Sequence, residues 1–147
     1  SRSSAASDVY KRQEYTFTYD LQDDQEGLKK LLWSQFGCKC GRCEITSGKR
    51  LMEKIPVMIL DQIVQEERIL MDIELAYTCK PHADELSLPS MDSHRAGLAV
   101  RIRVLNPKKR MLIVRGLIVR GVTRIGINDK YIYYDTDDLK QLALYYR

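Results

Sequence analysis

Two strand-like segments separated by only two residues constrain the fold of this chain more than any other feature. Residues 123–127 and 130–135 are rich in β-branched and aromatic side chains, and only Asn128 and Asp129 lie between them. A two-residue connection of this composition joins neighbouring antiparallel strands as a hairpin. The sequence therefore predicts antiparallel pairing towards the end of the chain.

Apolar residues at helical spacing predict three helices. These cover residues 23–35, 49–67 and 108–120, and Pro56 should kink or restart the second of them. The residues of the third helix that we expect to face the core are Met111, Leu112, Val114, Ile118 and Val119.

Strand patterns cover residues 69–77 and 98–104, and residues 139–146 close the chain as a short helix or strand. Residues 78–93 contain two prolines and several Ser and Asp residues, which predicts a long loop. The expected class is α+β, with helices packed on one side of a small, mainly antiparallel sheet.

The length of 147 residues corresponds to one domain, and a hydrophobic content of 44% with 30% charged residues is typical of a globular protein. Residues 1–13 contain no Met and resemble the translation of a library adapter, as in a metagenomic gene fragment. A disordered tail or a cloning remnant is the alternative. We therefore expect a non-native or disordered leader over residues 1–13 and a single domain over residues 14–147.

A motif at residues 92–102 matches a known signature over part of its length. His94, Gly97 and Ala99 coincide with S-x-H-x-x-G-x-A-x-D, the signature of the zinc D-alanyl-D-alanine carboxypeptidases and the phage L-alanyl-D-glutamate endopeptidases. The chain resembles this family over roughly residues 28–147, and the resemblance implies a Hedgehog/DD-peptidase-like fold. Further segments that resemble the family's motifs, in the same order, are 36–41, 75–79, 121–127, 131–135 and 144–146.

The chain departs from this family at the positions that bind the catalytic zinc. His94 is the only family ligand that is kept. Arg101 stands where the motif has its Asp, and Tyr133 stands where the family has its last His ligand. A guanidinium cannot ligate zinc, because it is cationic and offers no lone pair.

Other departures concern the substrate and the general base. Thr78 replaces the family's substrate-binding Arg, and Asp92 replaces the Ser of the motif. The general base of the family lies a few residues before the last His, where this chain offers Asp129 as a weak candidate. The resemblance thus implies a peptidase scaffold in which most of the catalytic residues have changed.

These departures predict a catalytically degenerate homologue that acts as a non-catalytic binding or structural module. Thr78, Asp92 and Tyr133 would line its former cleft, and its ligand would be a peptidoglycan peptide or a phage structural protein. The alternative is an active zinc-dependent peptidoglycan carboxypeptidase or endopeptidase that uses His94 with substitute ligands. The candidates for these ligands are Asp92, His82 and Asp135.

Location follows from what the sequence lacks. There is no apolar run of the ~20 residues that a membrane-spanning helix needs, and no signal-peptide pattern opens the chain. We therefore expect no membrane partner, and a protein that is cytoplasmic in the host cell or associated with a virion.

Four cysteines form a second candidate metal site. Cys38, Cys40 and Cys43 cluster within six residues, and Cys79 precedes the expected loop. Four thiolates suit a closed structural zinc site. A disulfide from Cys79 to one of the other three and four reduced thiols are the alternatives. A structural zinc ion is therefore a more probable cofactor than a catalytic one.

A basic tract extends from Arg95 to Arg124. It holds nine Lys and Arg residues and no Asp or Glu, within a chain of net charge +4. Such a tract could bind nucleic acid, but it contains no aromatic residue on which bases could stack. A solvated surface is the preferred interpretation, and we expect no nucleic-acid partner.

Overall fold

The hairpin expected near the end of the chain is present at the centre of the sheet. Its strands are β3 (Arg124–Ile127) and β4 (Tyr131–Asp135). The turn is closed by Asn128, whose Oδ1 accepts the backbone N–H groups of Lys130 (2.9 Å) and Tyr131 (2.8 Å). The computed structural model describes residues 21–89, 92–138 and 143–145.

Three more strands extend the hairpin into a five-stranded sheet. They are β1 (Asp72–Leu75), β2 (Ala99–Arg103) and β5 (Ala143–Tyr145). The order across the sheet is β1-β2-β4-β3-β5, with antiparallel pairing except between β3 and β5, which are parallel. A small, mainly antiparallel sheet is thus confirmed. Part of the closing segment is a strand, and its remaining residues lie outside the described ones.

The two long helices, α2 (Lys54–Glu67) and α4 (Pro107–Val119), pack against each other and share one core with the sheet. Register places Val100 opposite Tyr134, and both side chains are in this core. Because side chains alternate along a strand, the neighbouring pair, Arg101 and Tyr133, lies on the opposite face of the sheet. The α+β class is confirmed, and it gives the sheet one face packed on helices and a second face that carries polar groups.

The two long helices start differently, and only α4 has a side-chain N-cap. Asn106 caps α4, because its Oδ1 accepts the N–H of Lys109 at 2.9 Å, and proline occupies the first helical position. Helix α2 begins five residues later than expected, since the backbone N–H of Glu53 donates to Gly97 (2.8 Å) instead of entering a helix. Pro56 lies in the first turn, where its missing N–H costs little. Pro56 therefore lies at the beginning of the helix and neither kinks nor restarts one, because residues 49–53 are not helical.

The buried face of α4 differs from the prediction. Ile113, Gly116 and Leu117 are buried, whereas Met111 and Val119 are 62% and 73% exposed. Ile118 is also exposed, and the two remaining members of the predicted face are partly buried. Apolar side chains of α4 project from most sides of the helix, so their spacing alone could not identify the face that is buried. Close packing against α2 selects it instead, because a Cβ at position 116 would lie 2.8 Å from Ile63.

The helix expected over residues 23–35 is wrong. A short helix α1 (Leu21–Asp24) and a 3-10 helix (Trp33–Phe36) stand in its place. The carboxylate of Asp61 on α2 accepts the backbone N–H groups of residues 29–31 at 2.8 to 2.9 Å. These amides are therefore satisfied by a side chain from another element and not by a helix.

The long loop expected over residues 78–93 also contains a helix, α3 (Lys80–Glu85). Cys79 occupies its N-cap position, and Pro81 lies in its first turn, where a proline favours helix initiation. Pro81 is therefore part of a helix start, although the sequence pattern suggested irregular structure.

None of the helices in the described part of the chain is long and apolar enough to cross a membrane. The longest of them, α2, has 14 residues, whereas about 20 are needed.

Candidate functional site

The four cysteines of the chain converge at one end of the molecule. Cys38, Cys40 and Cys43 lie in the turn after the 3-10 helix, and Cys79 caps α3. Their four Sγ atoms all lie within 4.8 Å of one another, and none of them is in a disulfide. The four cysteines therefore lie close enough to bind a metal ion.

Distances within this cysteine cluster fit metal coordination. The Sγ atoms of Cys40 and Cys79 are 3.8 Å apart. Two sulfur ligands of a tetrahedral zinc ion are separated by about 3.8 Å, since each Zn–S bond is about 2.3 Å long. The turn can thus present thiolates at ligand spacing without rearrangement of the backbone.

Backbone N–H groups donate hydrogen bonds to two of these sulfurs, which stabilises the negatively charged thiolate form. Cys40 Sγ accepts hydrogen bonds from the N–H groups of Arg42 (3.4 Å) and Cys43 (3.3 Å), and Cys38 Sγ accepts one from Cys79 (3.4 Å). The donors of Arg42 and Cys43 lower the pKa of Cys40 to about 6, whereas burial raises the pKa of the Cys38 thiol. Metal binding must therefore displace protons from the cluster, including the proton of Cys38.

His82 belongs to this cluster and not to the expected histidine site. Its Nδ1 lies 3.5 Å from Cys38 Sγ. The signal in the sequence was the spacing Cys79-x-x-His82, which places two possible metal-binding residues close together. Arg42 and Glu85 add a bidentate ion pair, at 2.5 and 2.6 Å, between the cysteine turn and α3.

The second candidate site surrounds His94, which is 1% exposed. Its ring Nδ1 lies 3.0 Å from the carbonyl oxygen of Ala76, and its backbone N–H donates to Asp92 Oδ1 at 2.8 Å. The imidazole contacts the ring of Tyr133 edge-on, with 5.4 Å between centroids. Register places Arg101 directly opposite Tyr133. The structure thus brings together His94, Arg101 and Tyr133, the three positions that the sequence resemblance aligns with zinc ligands.

Side chains fill the space between these positions. Tyr133 is 1% exposed, and its hydroxyl donates to Asp135 Oδ2 at 2.6 Å. Asp135 in turn pairs with Arg124, whose Nε lies 2.9 Å from Oδ1. Arg101 forms an ion pair with Glu74, with 2.6 Å between Nε and Oε1, and its guanidinium group lies over the ring of Tyr131. A phenol, two guanidinium groups and two paired carboxylates therefore occupy this side of the sheet.

The other predicted site residues lie at varied depths. Thr78 is 1% exposed and donates its hydroxyl to the carbonyl of Ala76 at 3.3 Å, and Asp92 is 7% exposed. Asp129 lies on the exposed turn of the hairpin. It is four residues from Tyr133 along the chain, or roughly 13 Å of extended strand. Thr78 and Asp92 thus lie beside His94, whereas Asp129 is not brought to it.

The basic tract is largely tied to neighbouring acceptors. Arg110 donates to the backbone carbonyls of Val104 (2.8 Å) and Asn128 (2.5 Å). Four other cations of the tract pair with carboxylates of the same chain, which reduces the field they present to a polyanion. These pairs are Arg101–Glu74, Arg115–Glu67, Arg120–Glu66 and Arg124–Asp135.

Comparison with protein-family models, curated proteins and solved structures gives no match to this chain. The likeness to the zinc peptidases therefore rests on the sequence motifs, and function must be argued from the two sites themselves.

Proposed function

We propose that this chain is a catalytically degenerate relative of the zinc cell-wall peptidases. It has a Hedgehog/DD-peptidase-like fold, acts as a non-catalytic binding or structural module, and holds one structural zinc ion in its cysteine cluster. Phage origin and a partner in the cell wall or the virion belong to the same proposal.

One observation carries the proposal: the buried ring of Tyr133 between His94 and Arg101. Catalytic zinc needs about three protein ligands and an open position for water. Here a phenol packs against His94 and donates to Asp135, a carboxylate that is already paired with the guanidinium of Arg124. Such surroundings oppose a second cation.

The residues that could replace the missing zinc ligands in an active enzyme already have other partners. Asp135 is buried in its pair with Arg124, and Asp92 accepts the backbone N–H of His94. His82 lies against Cys38 in the cysteine cluster. An active peptidase would have to break these contacts, which favours the non-catalytic function over the active alternative.

Zinc is the metal that suits the cysteine cluster best. Four thiolates whose sulfurs lie within 4.8 Å of one another offer a soft, closed donor shell, which zinc fills without an open position for a substrate. This ion would join the turn at residues 38–43 to helix α3, and it would contribute to folding and not to catalysis.

A ligand of this module would meet the outer part of the cleft. Thr78 and Tyr133 lie beneath the surface, whereas the side chains of Arg101 and Glu74 are 28% and 33% exposed. Tyr131 lies beside Arg101 and is partly exposed. A guanidinium next to an aromatic ring suits a peptide carboxylate, which is the group that a cell-wall stem peptide presents, and this carboxylate would compete with Glu74 for Arg101.

Metal content and peptidoglycan binding test this proposal together. We expect one equivalent of zinc in the wild type and in His94→Gln, and loss of zinc in Cys40→Ser. Peptidoglycan should sediment with the wild-type protein without release of peptides. A zinc ion that disappears in His94→Gln, or hydrolysis that a chelator abolishes, would contradict the non-catalytic function.

A further inference from the structure

His82 occupies a defined place beside the cysteine cluster. It lies in the first half of α3, three residues after Cys79, and its side chain is half-buried. The ring Nδ1 is 3.5 Å from Cys38 Sγ. The group of sulfur atoms that lie within 4.8 Å of one another contains the four cysteines and not this nitrogen. The imidazole therefore stands next to one thiolate instead of within the donor set.

Hydrogen-bond donors are what a metal-bound thiolate needs in this position. Four thiolates around one Zn²⁺ leave two negative charges in excess, which N–H groups disperse. Backbone N–H groups reach Cys40 from Arg42 and Cys43, and they reach Cys38 from Cys79 and Cys40. Toward a thiolate the Nδ1 of His82 can act only as a donor, so it would give Cys38 a further hydrogen bond, from a side chain.

The surrounding structure holds the imidazole in this position. Cys79 fixes the start of α3 at the cluster, and the bidentate pair of Arg42 with Glu85 ties the end of the same helix to the cysteine turn. Because both ends of this six-residue helix are attached to the cluster, His82 has little freedom to move away from Cys38.

We propose that His82 is a positioning residue of the metal site, which donates its Nδ1–H to the Cys38 thiolate and strengthens metal binding without becoming a ligand. This inference rests on the proposed zinc site. Partners of metal-bound groups of this kind typically change affinity by about 10- to 100-fold.

The test compares two substitutions in the full chain. His82→Leu removes the donor, whereas His82→Asn keeps an N–H group at nearly the position of Nδ1. Zinc affinity is measured by competition with a chromophoric chelator, and the ligand set is measured from the thiolate-to-metal absorption of the cobalt-loaded proteins. We expect about 10- to 100-fold weaker zinc binding for His82→Leu, near-wild-type binding for His82→Asn, and equal cobalt absorption in all three proteins.

Two results would overturn the role of His82 alone. Unchanged zinc affinity in His82→Leu would show that its N–H does not matter, and altered cobalt absorption would make the imidazole a direct ligand. Failure of the zinc site itself is distinguishable, because zinc binding would then not depend on Cys40, and Cys40→Ser would equal the wild type.

Discussion

At the residue scale, a few side chains and one glycine fix the backbone around His94. Gly97 has a φ of +75°, its N–H donates to His94, and its carbonyl accepts the N–H of Glu53. A Cβ at this position would collide with the carbonyl oxygen of Leu51. The glycine of the sequence motif is thus required by both its conformation and its close contact with another segment.

Gly97→Ala should be much more destabilising than a left-handed conformation alone explains. We expect a loss of about 3 to 4 kcal/mol in the free energy of unfolding, from the strained φ together with the steric clash. Gly121→Ala is the matched control, since Gly121 has a φ of +87° but no atom within 4 Å of its Cβ position. It should lose only about 1 to 2 kcal/mol. Urea unfolding measures both, and equal losses would contradict the role of the contact with Leu51.

Tyr134 gives the stability a dependence on alkaline pH. Its hydroxyl donates to the carbonyl of Pro56 at 2.5 Å, and complete burial raises the pKa of this phenol far above its usual range. The folded state keeps the proton while the unfolded state releases it near pH 10. This contribution to stability is therefore complete below about pH 9 and falls by about 1.4 kcal/mol per pH unit above pH 10.

Tyr134→Phe should remove that slope. The variant loses its hydrogen bond, at a cost of about 1 kcal/mol at neutral pH, but its free energy of unfolding should fall less steeply between pH 10 and 11.5. Tyr131→Phe, at a partly exposed position, should keep the wild-type slope. Urea titrations at several pH values measure this difference, and parallel curves for wild type and Tyr134→Phe would rule it out.

At the scale of elements, α3 depends on the cysteine cluster for its position. It has six residues, which is too short to be stable by itself, and Ala83 is its one buried residue. Its other attachments are Cys79, His82 and the pair of Glu85 with Arg42. The stability of α3 should therefore depend more on whether the four cysteines hold a metal ion than on the packing of the main core.

Removal of the metal should loosen α3 and leave the centre of the sheet intact. Hydrogen exchange followed by mass spectrometry should show faster exchange in residues 38–43 and 79–86 after chelation, and little change in β3 and β4. Cys40→Ser should reproduce this pattern without a chelator. If hydrogen exchange became faster by the same factor across the whole chain, the metal would instead stabilise the whole fold.

Local patterns predicted those elements whose signals lie within the element itself. The hairpin followed from two strand patterns with a short turn between them, although residues 128–130 separate β3 from β4 and not the expected Asn128 and Asp129 alone. Helix α4 followed from apolar residues at helical spacing. The non-helical conformation of residues 29–31 depends on hydrogen bonds to Asp61, which lies about thirty residues away in sequence. No local sequence pattern contains that information. Similarly, the face of α4 was decided by its contact with Ile63.

At the scale of the whole molecule, a single sequence indicates candidate site residues but not their partners across the fold. The four cysteines were a candidate zinc site with a disulfide or free thiols as alternatives, and the structure brings the four sulfurs together with no disulfide among them. His82 was assigned to the wrong cluster, since its neighbour Cys38 is 44 residues away. Pairings across the fold depend on tertiary structure, which a single sequence does not specify locally.

The whole fold also makes a prediction about its proposed ancestry. Register places residues 101 and 133 opposite each other, and His94 contacts Tyr133. Arg101→Asp combined with Tyr133→His should therefore let the protein bind a second equivalent of zinc. Elemental analysis measures the zinc, and Arg101→Asp alone is the control that should stay at one equivalent. If the double variant folds and also stays at one, the proposed relation to the zinc peptidases loses its support.

The parallel strand β5 has a consequence for synthesis of the protein on the ribosome. Its partner β3 leaves the ribosome well before residues 143–145 do, so one edge of β3 stays exposed while the rest of the sheet is already able to form. Unpaired edges of this kind recruit strands from other chains. A released chain that ends before residue 143 should therefore aggregate more readily than the chain that includes β5, although it already contains both long helices and four of the five strands.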